Sequence, residues 1–173
     1  MKNRNINSYG MECLKEILGD SLILKNKLKY FVYNGEEYQL KVSVTDLNSD
    51  TNQFNQMETI NMAIHILGMG TLDSDIDWML LSPIDVARLS MGKKSQHGGL
   101  VAEDFIASLD EIDPSYYVKP DKLKKSIENL IDIQKTDYNY KLLESRMMIE
   151  KILKDKSKRN YESFLSDFVA NLP

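Results

Sequence analysis

Alternation between apolar and polar residues marks the stretch from residue 22 to residue 44. Leu28, Tyr30 and Val32 alternate with Lys27, Lys29 and Phe31 in the first half. Tyr38, Leu40 and Val42 alternate with polar residues in the second. Such alternation puts every second side chain on one face of a strand. Residues 34–35 between the halves are Asn-Gly, the preferred pair for a two-residue type I′ turn. The pattern predicts an antiparallel hairpin, which needs a third strand over 22–25 or a covering helix to be stable.

Elsewhere the apolar residues recur every three or four positions, as they do in amphipathic helices. A first helix is predicted over 8–20, with Ser8 as its N-cap and Gly19 at its end. A second is predicted over 53–70, where it would include His65 and stop at Gly68. Further helices are predicted over 74–91 (two short ones), 100–112 and 121–135. From residue 137 to the C terminus two more amphipathic helices are predicted, separated by a polar stretch at 154–160.

These elements predict an α+β fold. An N-terminal helix and an antiparallel β-hairpin or small sheet are followed by a mainly α-helical body that ends in amphipathic C-terminal helices. We place an α+β core at 1–135 and a C-terminal helical segment at 136–173 that packs on it, so that the 173 residues form a single domain overall.

Composition narrows the class of protein. Hydrophobic residues make up 42% of the chain and charged residues 28%, which is typical of a globular domain. No apolar run reaches the roughly 18 residues of a membrane span, and the N terminus lacks a secretory signal. Cys13, the single cysteine, excludes a disulfide framework and fits a buried, inert thiol. We expect a cytoplasmic protein that needs no cofactor and does not bind a membrane.

Charge is divided unevenly along the chain. Residues 1–45 carry a net charge of +2, residues 46–118 of −9 and residues 119–173 of +3. An acidic middle is unfavourable for nucleic-acid binding, which depends on a basic surface. It suits a partner with a basic surface, since complementary charge speeds encounter.

The densest acidic pattern is GMGTLDSDIDWML, residues 68–80. On a strand, Asp75 and Asp77 would share a face, and two such carboxylates can hold Mg²⁺ for phosphoryl chemistry. The segment resembles, over some 14 residues, the signature of minimal nucleotidyltransferases. That resemblance implies that Asp75 and Asp77 bind the metal, with Asp85 as the nearby third acid.

A second interpretation treats the same acids as helix starts. Ser74-x-x-Asp77 and Ser82-x-x-Asp85 both resemble capping boxes, and Pro83 fits the first helical position after Ser82. We favour this interpretation, in which residues 75–81 are not a strand and the site holds no metal.

Glycine, lysine and histidine gather at residues 91–100, MGKKSQHGGL. Phosphate-binding loops combine glycine with lysine, but the Walker A spacing is absent because residue 87 is alanine and Lys94 separates Lys93 from Ser95. His97 has the chemistry of a general acid or base, without a catalytic set around it in the sequence. We expect an exposed loop in which Lys93, Lys94 and His97 form a small positive patch.

The stretch from residue 83 to residue 107 has a DNA-binding alternative. PIDVARLSMGKKSQ resembles the first helix and turn of a helix-turn-helix, as in repressors of the lactose-repressor type. That resemblance implies that the following residues form a recognition helix. The recognition segment would contain Gly98-Gly99 and lie in the acidic third of the chain, which disfavours it.

The sequence therefore predicts a non-enzymatic protein–protein interaction module, such as a bacterial or phage accessory, inhibitor, immunity or assembly-chaperone protein. Its interaction residues are Lys93, Lys94 and His97 in the loop, and Asp73 and Asp75 in the acidic segment. We expect the partner to be another protein, one with a basic surface, and a second copy to pair through the C-terminal helices. A metal-dependent nucleotidyltransferase-like enzyme and a helix-turn-helix DNA-binding protein are the alternatives.

Overall fold

A computed structural model describes residues 5–153 and 161–173. The described residues form eight strands: β1 Leu22–Lys25, β2 Leu28–Tyr33, β3 Glu36–Asp46, β4 Gln53–Met57, β5 Ile64–Gly70, β6 Asp77–Leu81, β7 Phe105–Ser108 and β8 Tyr117–Val118. They also form five α-helices: α1 Ile6–Leu18, α2 Pro83–Leu89, α3 Pro120–Thr136, α4 Tyr138–Leu153 and α5 Tyr161–Ala170. The chain is α+β, as predicted.

Six strands form one mixed sheet in the order β1-β2-β3-β5-β6-β8. Neighbours run antiparallel except β3 and β5, which are parallel. β4 and β7 pair with each other in a separate two-stranded antiparallel sheet. The chain passes through β4 on its way from β3 to the parallel β5, so β4 belongs to the crossover between them, while β7 reaches it from a later part of the chain.

The predicted hairpin is confirmed. β2 and β3 pair from Tyr33–Glu36 onward, and the two residues between them have positive φ angles, 51° at Asn34 and 77° at Gly35. Positive φ at both central residues is what a type I′ turn requires. β1, at the residues predicted for a third strand, pairs with β2 and supports the hairpin.

The first helix is also confirmed, with a different cap. α1 begins after Asn5, whose side-chain oxygen accepts a hydrogen bond from the Ser8 backbone N–H, so Ser8 lies inside the helix. It ends at Gly19, where a φ of 55° suits glycine. α1 and α3 cover one face of the large sheet. The core between them contains Leu14, Leu18, Phe31, Leu40, Val44, Ile64, Ile66, Trp78, Leu123, Ile127 and Ile131.

The helix predicted over 53–70 is wrong, because this stretch forms β4 and β5. Every residue of β5 is buried, since the strand lies inside the sheet and both of its faces are covered. A strand buried on both faces reads as a continuous apolar run, which periodicity does not separate from a buried helix. Gly68 is no helix stop: a Cβ there would lie 2.9 Å from atoms of Ile76 and Trp78, so glycine permits close packing.

Two other helix predictions are corrected. Of the two short helices predicted over 74–91, only the second exists, as α2, while residues 77–81 form β6. The helix predicted over 100–112 is replaced by turns, β7 and a short 3₁₀ turn at Leu109–Glu111. In β7 the burial alternates, with Phe105 and Ala107 buried against β4, so pairing with β4 determines the strand.

The opposite face of the large sheet is covered by the small sheet and α2 around Phe54, Met57, Leu67, Met79 and Phe105. Beyond α2, a further apolar cluster contains Leu143 and Met147 of α4 together with Leu165 and Phe168 of α5. The division into a core at 1–135 and a packed segment at 136–173 stays a prediction, and the polar stretch at 154–160 lies outside the described residues. Among the described helices, none has both the length and the hydropathy of a membrane span.

Candidate functional site

The acidic segment DSDID is a turn followed by a strand. Ser74 closes the turn: its hydroxyl oxygen accepts a hydrogen bond from the Thr71 N–H at 2.9 Å, and the hydroxyl lies 2.9 Å from the Thr71 carbonyl oxygen. Asp75 lies in the turn and Asp77 is the first residue of β6. The helix start predicted at Ser74-x-x-Asp77 is therefore wrong, because pairing of β6 with β5 overrides the local capping pattern.

The second predicted helix start is confirmed. Ser82 caps α2: its hydroxyl oxygen accepts a hydrogen bond from the Asp85 N–H, and the Asp85 carboxylate accepts one from the Ser82 N–H. This pair of hydrogen bonds is a capping box. Asp85 also accepts hydrogen bonds from Arg88 and from the Tyr116 hydroxyl. Burial and the nearby Asp85 raise the pKa of Tyr116 to about 12. The Asp85 carboxylate thus has a structural role, because it joins α2 to Tyr116, the residue before β8, by a hydrogen bond.

The proposed third metal ligand lies far from the other two. Asp77 begins β6, a strand of five residues, and Asp85 lies in α2 beyond the other end of that strand. At about 3.3 Å per residue the strand alone spans about 13 Å. Within residues 5–153 and 161–173, no three His, Cys, Asp or Glu side chains are grouped so that they could hold a metal ion. Asp75, Asp77 and Asp85 therefore do not form the ligand set that the nucleotidyltransferase resemblance implies.

What the fold does bring together is an acidic surface at the carboxyl ends of β3 and β5. Asp46, the last residue of β3, is the register partner of Gly70 in β5, and the N–H of Leu47 donates to the Gly70 carbonyl at 2.9 Å. The turn that follows Gly70 contributes further carboxylates. We define the acidic surface as Asp46, Leu47, Asp50, Leu72, Asp73, Asp75, Asp77 and Tyr117.

Three large apolar side chains are exposed within the acidic surface. Leu47 is 46% exposed, Leu72 is 41% exposed and Tyr117 is 44% exposed. The Tyr117 hydroxyl contacts the Met69 sulfur at 2.9 Å, and burial together with the charge of Asp77 raises the tyrosine's pKa. These contacts place Tyr117 beside the start of β6, although it lies 40 residues after Asp77 in the chain.

Residues 91–99 form a loop that Asp104 organises. Its carboxylate accepts hydrogen bonds from the backbone N–H groups of Gln96 and His97 and from the Ser95 hydroxyl, and it pairs with the His97 ring. Burial raises the pKa of Asp104, but these hydrogen bonds outweigh it and leave the pKa below its usual value. The loop is a folded structure in which each of these donors has a defined acceptor.

The interaction residues predicted from sequence lie on separate elements. Lys93 forms an ion pair with Glu111, and Lys94 is exposed in the loop after α2. Asp73 and Asp75 lie in the turn between β5 and β6. Whether Lys93, Lys94, His97, Asp73 and Asp75 contact a partner stays a prediction.

The described stretch from residue 83 to residue 107 has one helix, α2, followed by the loop and β7. The recognition helix that a helix-turn-helix requires is therefore not formed there.

A cluster of buried polar groups next to the end of β4 was not predicted from the sequence. His65 in β5 lies beside Lys41 of β3 in the parallel register, and its Nε2 accepts a hydrogen bond from the Glu58 N–H at 3.1 Å. The Glu58 carboxylate is buried, receives a hydrogen bond from Asn61 and lies 3.5 Å from the Lys41 ammonium. Burial lowers the pKa of His65 to about 4, so the ring is neutral at pH 7.

One signal in the sequence could have identified the cluster. His65 lies between Ile64 and Ile66 in a run that ends in two glycines, which fits a central strand as well as a helix. On a strand buried on both faces, a histidine needs hydrogen-bonding partners from its neighbours. Lys41 and Glu58 are polar residues of the neighbouring segments, and the Glu58 N–H provides such a partner.

Comparison with known proteins adds no family assignment. No protein-family model matches the chain, and no curated protein matches it.

Proposed function

We propose that the protein is a binding protein whose acidic surface docks onto a positively charged surface of another protein. The observation that carries this proposal is the exposure of Leu47, Leu72 and Tyr117 among carboxylates that three distant chain segments bring together. Apolar and aromatic anchors with charged neighbours are the usual composition of a protein interface.

Four carboxylates of the acidic surface form no ion pair with a lysine or arginine of the described residues. They are those of Asp46, Asp50, Asp75 and Asp77. Uncompensated carboxylates on one surface attract a basic partner over roughly the Debye length and align it before contact. The apolar side chains would then supply affinity once water is excluded.

The test first captures a binding partner from the cells that make the protein. The affinity of that partner is then compared between the unmodified chain and two kinds of variant. The captured protein is purified, and its dissociation constant is measured at low and at moderate salt by calorimetry. Leu72→Ser should weaken binding by about tenfold or more, as expected for an interface anchor. The triple variant Asp73→Asn, Asp75→Asn, Asp77→Asn should weaken binding at low salt and reduce its salt dependence.

Leu24→Ser is the matched control, because Leu24 is an exposed leucine of β1, at the opposite edge of the sheet from β8. It should leave the dissociation constant unchanged. The proposal is wrong if no captured protein loses affinity on substitution of Leu72, or if the Leu24 control weakens binding as much.

The C-terminal helices favour a second contact, between two copies of the chain. Met148 and Ile149 are neighbours on α4 and are 60% and 44% exposed. Light scattering of the protein and of the variant Met148→Lys, Ile149→Lys tests this prediction. A dimer should become a monomer in the variant, and a monomeric starting protein would contradict pairing through α4.

A further inference from the structure

A small cavity of about 250 Å³ lies beside β3, away from the acidic surface. β3 is longer than β2 and extends past the start of it. The register pair nearest that point is Lys29–Leu40, so residues 41–46 have no β2 residue opposite them. The space is lined by the start of β2, by Lys41 and Ser43 of β3 and by the middle of β4. We call it the lysine pocket, lined by Lys27, Leu28, Lys29, Leu40, Lys41, Val42, Ser43, Asn55, Gln56, Met57, His65 and Leu67.

The pocket is strongly cationic for its size. Three of its lining residues are lysines and none is acidic. Lys41 has Glu58 on its buried side, 3.5 Å away. Lys29 is half-buried, and burial, together with the positive charge of Lys41, lowers its pKa. A bound anion would favour the charged form of Lys29, since a nearby negative charge offsets both effects.

Two backbone distortions bring polar side chains to the pocket. Lys27 has a φ of 69° and follows Asn26 with a φ of 50°, in the two-residue turn between β1 and β2. The second position of such a turn favours glycine, which residue 35 provides in the next turn of the same sheet. A lysine at residue 27 therefore adopts a backbone conformation that costs stability, and it presents a cation to the pocket.

The second distortion lies in β4. The register of β4 with β7 shifts between Phe54 and Met57, and Gln56 has a φ of 56°. The extra residue lets Phe54 and Met57 both be buried, while Asn55 and Gln56 line the pocket. Bulges of this kind re-aim side chains next to functional sites, and strained backbone is concentrated at such sites.

The lysine pocket continues into an adjoining cavity of about 360 Å³ that shares Lys29, Val42, Ser43, Asn55 and Gln56 with it. The adjoining cavity is also lined by Asn7 and Met11 of α1 and by Val44. Met11, Val42 and Val44 give the adjoining cavity an apolar wall opposite polar residues, so it provides space for a small organic group next to a bound anion.

We propose that the lysine pocket binds the phosphate group of a small phosphomonoester whose organic part occupies the adjoining cavity. Lysine ammonium groups are common phosphate ligands. Because Glu58 pairs with Lys41, the three lysines leave a net charge of +2, which matches the two negative charges of a phosphomonoester. Ser43 and Gln56 also line the pocket, and their side chains carry neutral hydrogen-bond donors. The site is independent of the acidic surface, so either proposal can fail without the other.

The test is calorimetry of the full chain at constant ionic strength, with inorganic phosphate, glycerol 3-phosphate and acetate as probes. Glycerol 3-phosphate should bind at one saturable site and more tightly than inorganic phosphate, and acetate should bind weakest. Lys29→Gln should weaken phosphomonoester binding by about tenfold or more, as expected on loss of a charged hydrogen-bond donor. Lys124→Gln, at an exposed lysine of α3, is the matched control and should change nothing.

Lys27→Gly separates a binding role from a structural one. Because glycine adopts positive φ without strain, this variant should raise the midpoint of thermal unfolding while it weakens phosphomonoester binding. Lys27→Gln keeps the strain and should weaken binding without raising the midpoint.

Several results would overturn the proposal. One is that no phosphate probe binds saturably at millimolar concentration. Another is that the Lys29→Gln and Lys124→Gln proteins bind glycerol 3-phosphate with equal affinity. A third is that the unmodified chain binds inorganic phosphate and glycerol 3-phosphate with equal affinity. Affinity for single-stranded oligonucleotides that rises with their length would instead assign the pocket to a nucleic-acid backbone.

Discussion

At the scale of single residues, His65 shows how burial determines a side chain's charge. Its Nε2 accepts a hydrogen bond from the Glu58 N–H, and its Nδ1 lies 3.0 Å from the Ala63 carbonyl oxygen, so the neutral ring with the proton on Nδ1 satisfies both partners. Protonation of Nε2 would place two donors against each other in a buried site. Burial accordingly lowers the pKa of His65 from 6.5 to about 4.

This pKa predicts acid-sensitive folding. The unfolded chain takes up a proton on His65 near pH 6.5 and the folded chain only near pH 4, so folding stability falls as pH decreases through this interval. Between pH 7 and pH 5 the free energy of unfolding should fall by about 2 kcal/mol. Urea denaturation across this range measures it. His65→Gln should flatten the pH dependence and His97→Gln, at the exposed loop histidine, should retain it; an equal slope in all three proteins would refute the assignment.

At the scale of elements, α1 and β3 approach each other closely because of a glycine. A Cβ on Gly10 would lie 2.5 Å from a methyl carbon of Val44. Valine has few rotamers, so it cannot move aside without a change in the sheet beneath it. The contact sets the distance at which the helix packs on the strand, next to the hydrogen bond from the Val44 N–H to the Asn7 side chain.

Gly10→Ala should therefore destabilise the protein, although alanine favours a helix by about 1 kcal/mol over glycine. Overpacking costs about 1–3 kcal/mol, so we expect a net loss of up to about 2 kcal/mol in the free energy of unfolding. Chemical denaturation measures the loss. Addition of Val44→Ala should make the Gly10 substitution nearly neutral, and Asn129→Ala, on the exposed side of α3, should not destabilise. A stabilising Gly10→Ala would show that the two elements are free to separate.

At the scale of the whole molecule, the two faces of the large sheet have different covers. α1 and α3 pack on one face, and the small sheet with α2 packs on the other, where α4 and α5 join through a further apolar cluster. The acidic surface lies at the carboxyl ends of β3 and β5, while the lysine pocket lies along the edge of β3. The long β3 strand thus links two surfaces of opposite charge.

A substitution at Leu143 of α4 tests whether the C-terminal helices and the sheet unfold together. Its side chain is fully buried with Ile84, Ala87 and Leu100, so Leu143→Ala should reduce the free energy of unfolding by about 2–5 kcal/mol. Circular dichroism and the fluorescence of Trp78, which is buried under α1 and α3, should then shift to the same new midpoint. A tryptophan transition that stays in place would mean that the C-terminal helices unfold separately.

Elements with local signals could be predicted from the sequence alone. The Asn34-Gly35 turn, the α1 stop at Gly19 and the Ser82–Asp85 capping box are formed by residues a few positions apart, and each is present in the structure. Residues 64–70 and 77–81, in contrast, are strands because of contacts that local patterns do not contain. Their apolar residues are buried by segments far along the chain, and pairing with those segments outweighs local preference. The acidic surface and the lysine pocket depend on the same long-range pairing, so their residues become neighbours only when the sheet is formed.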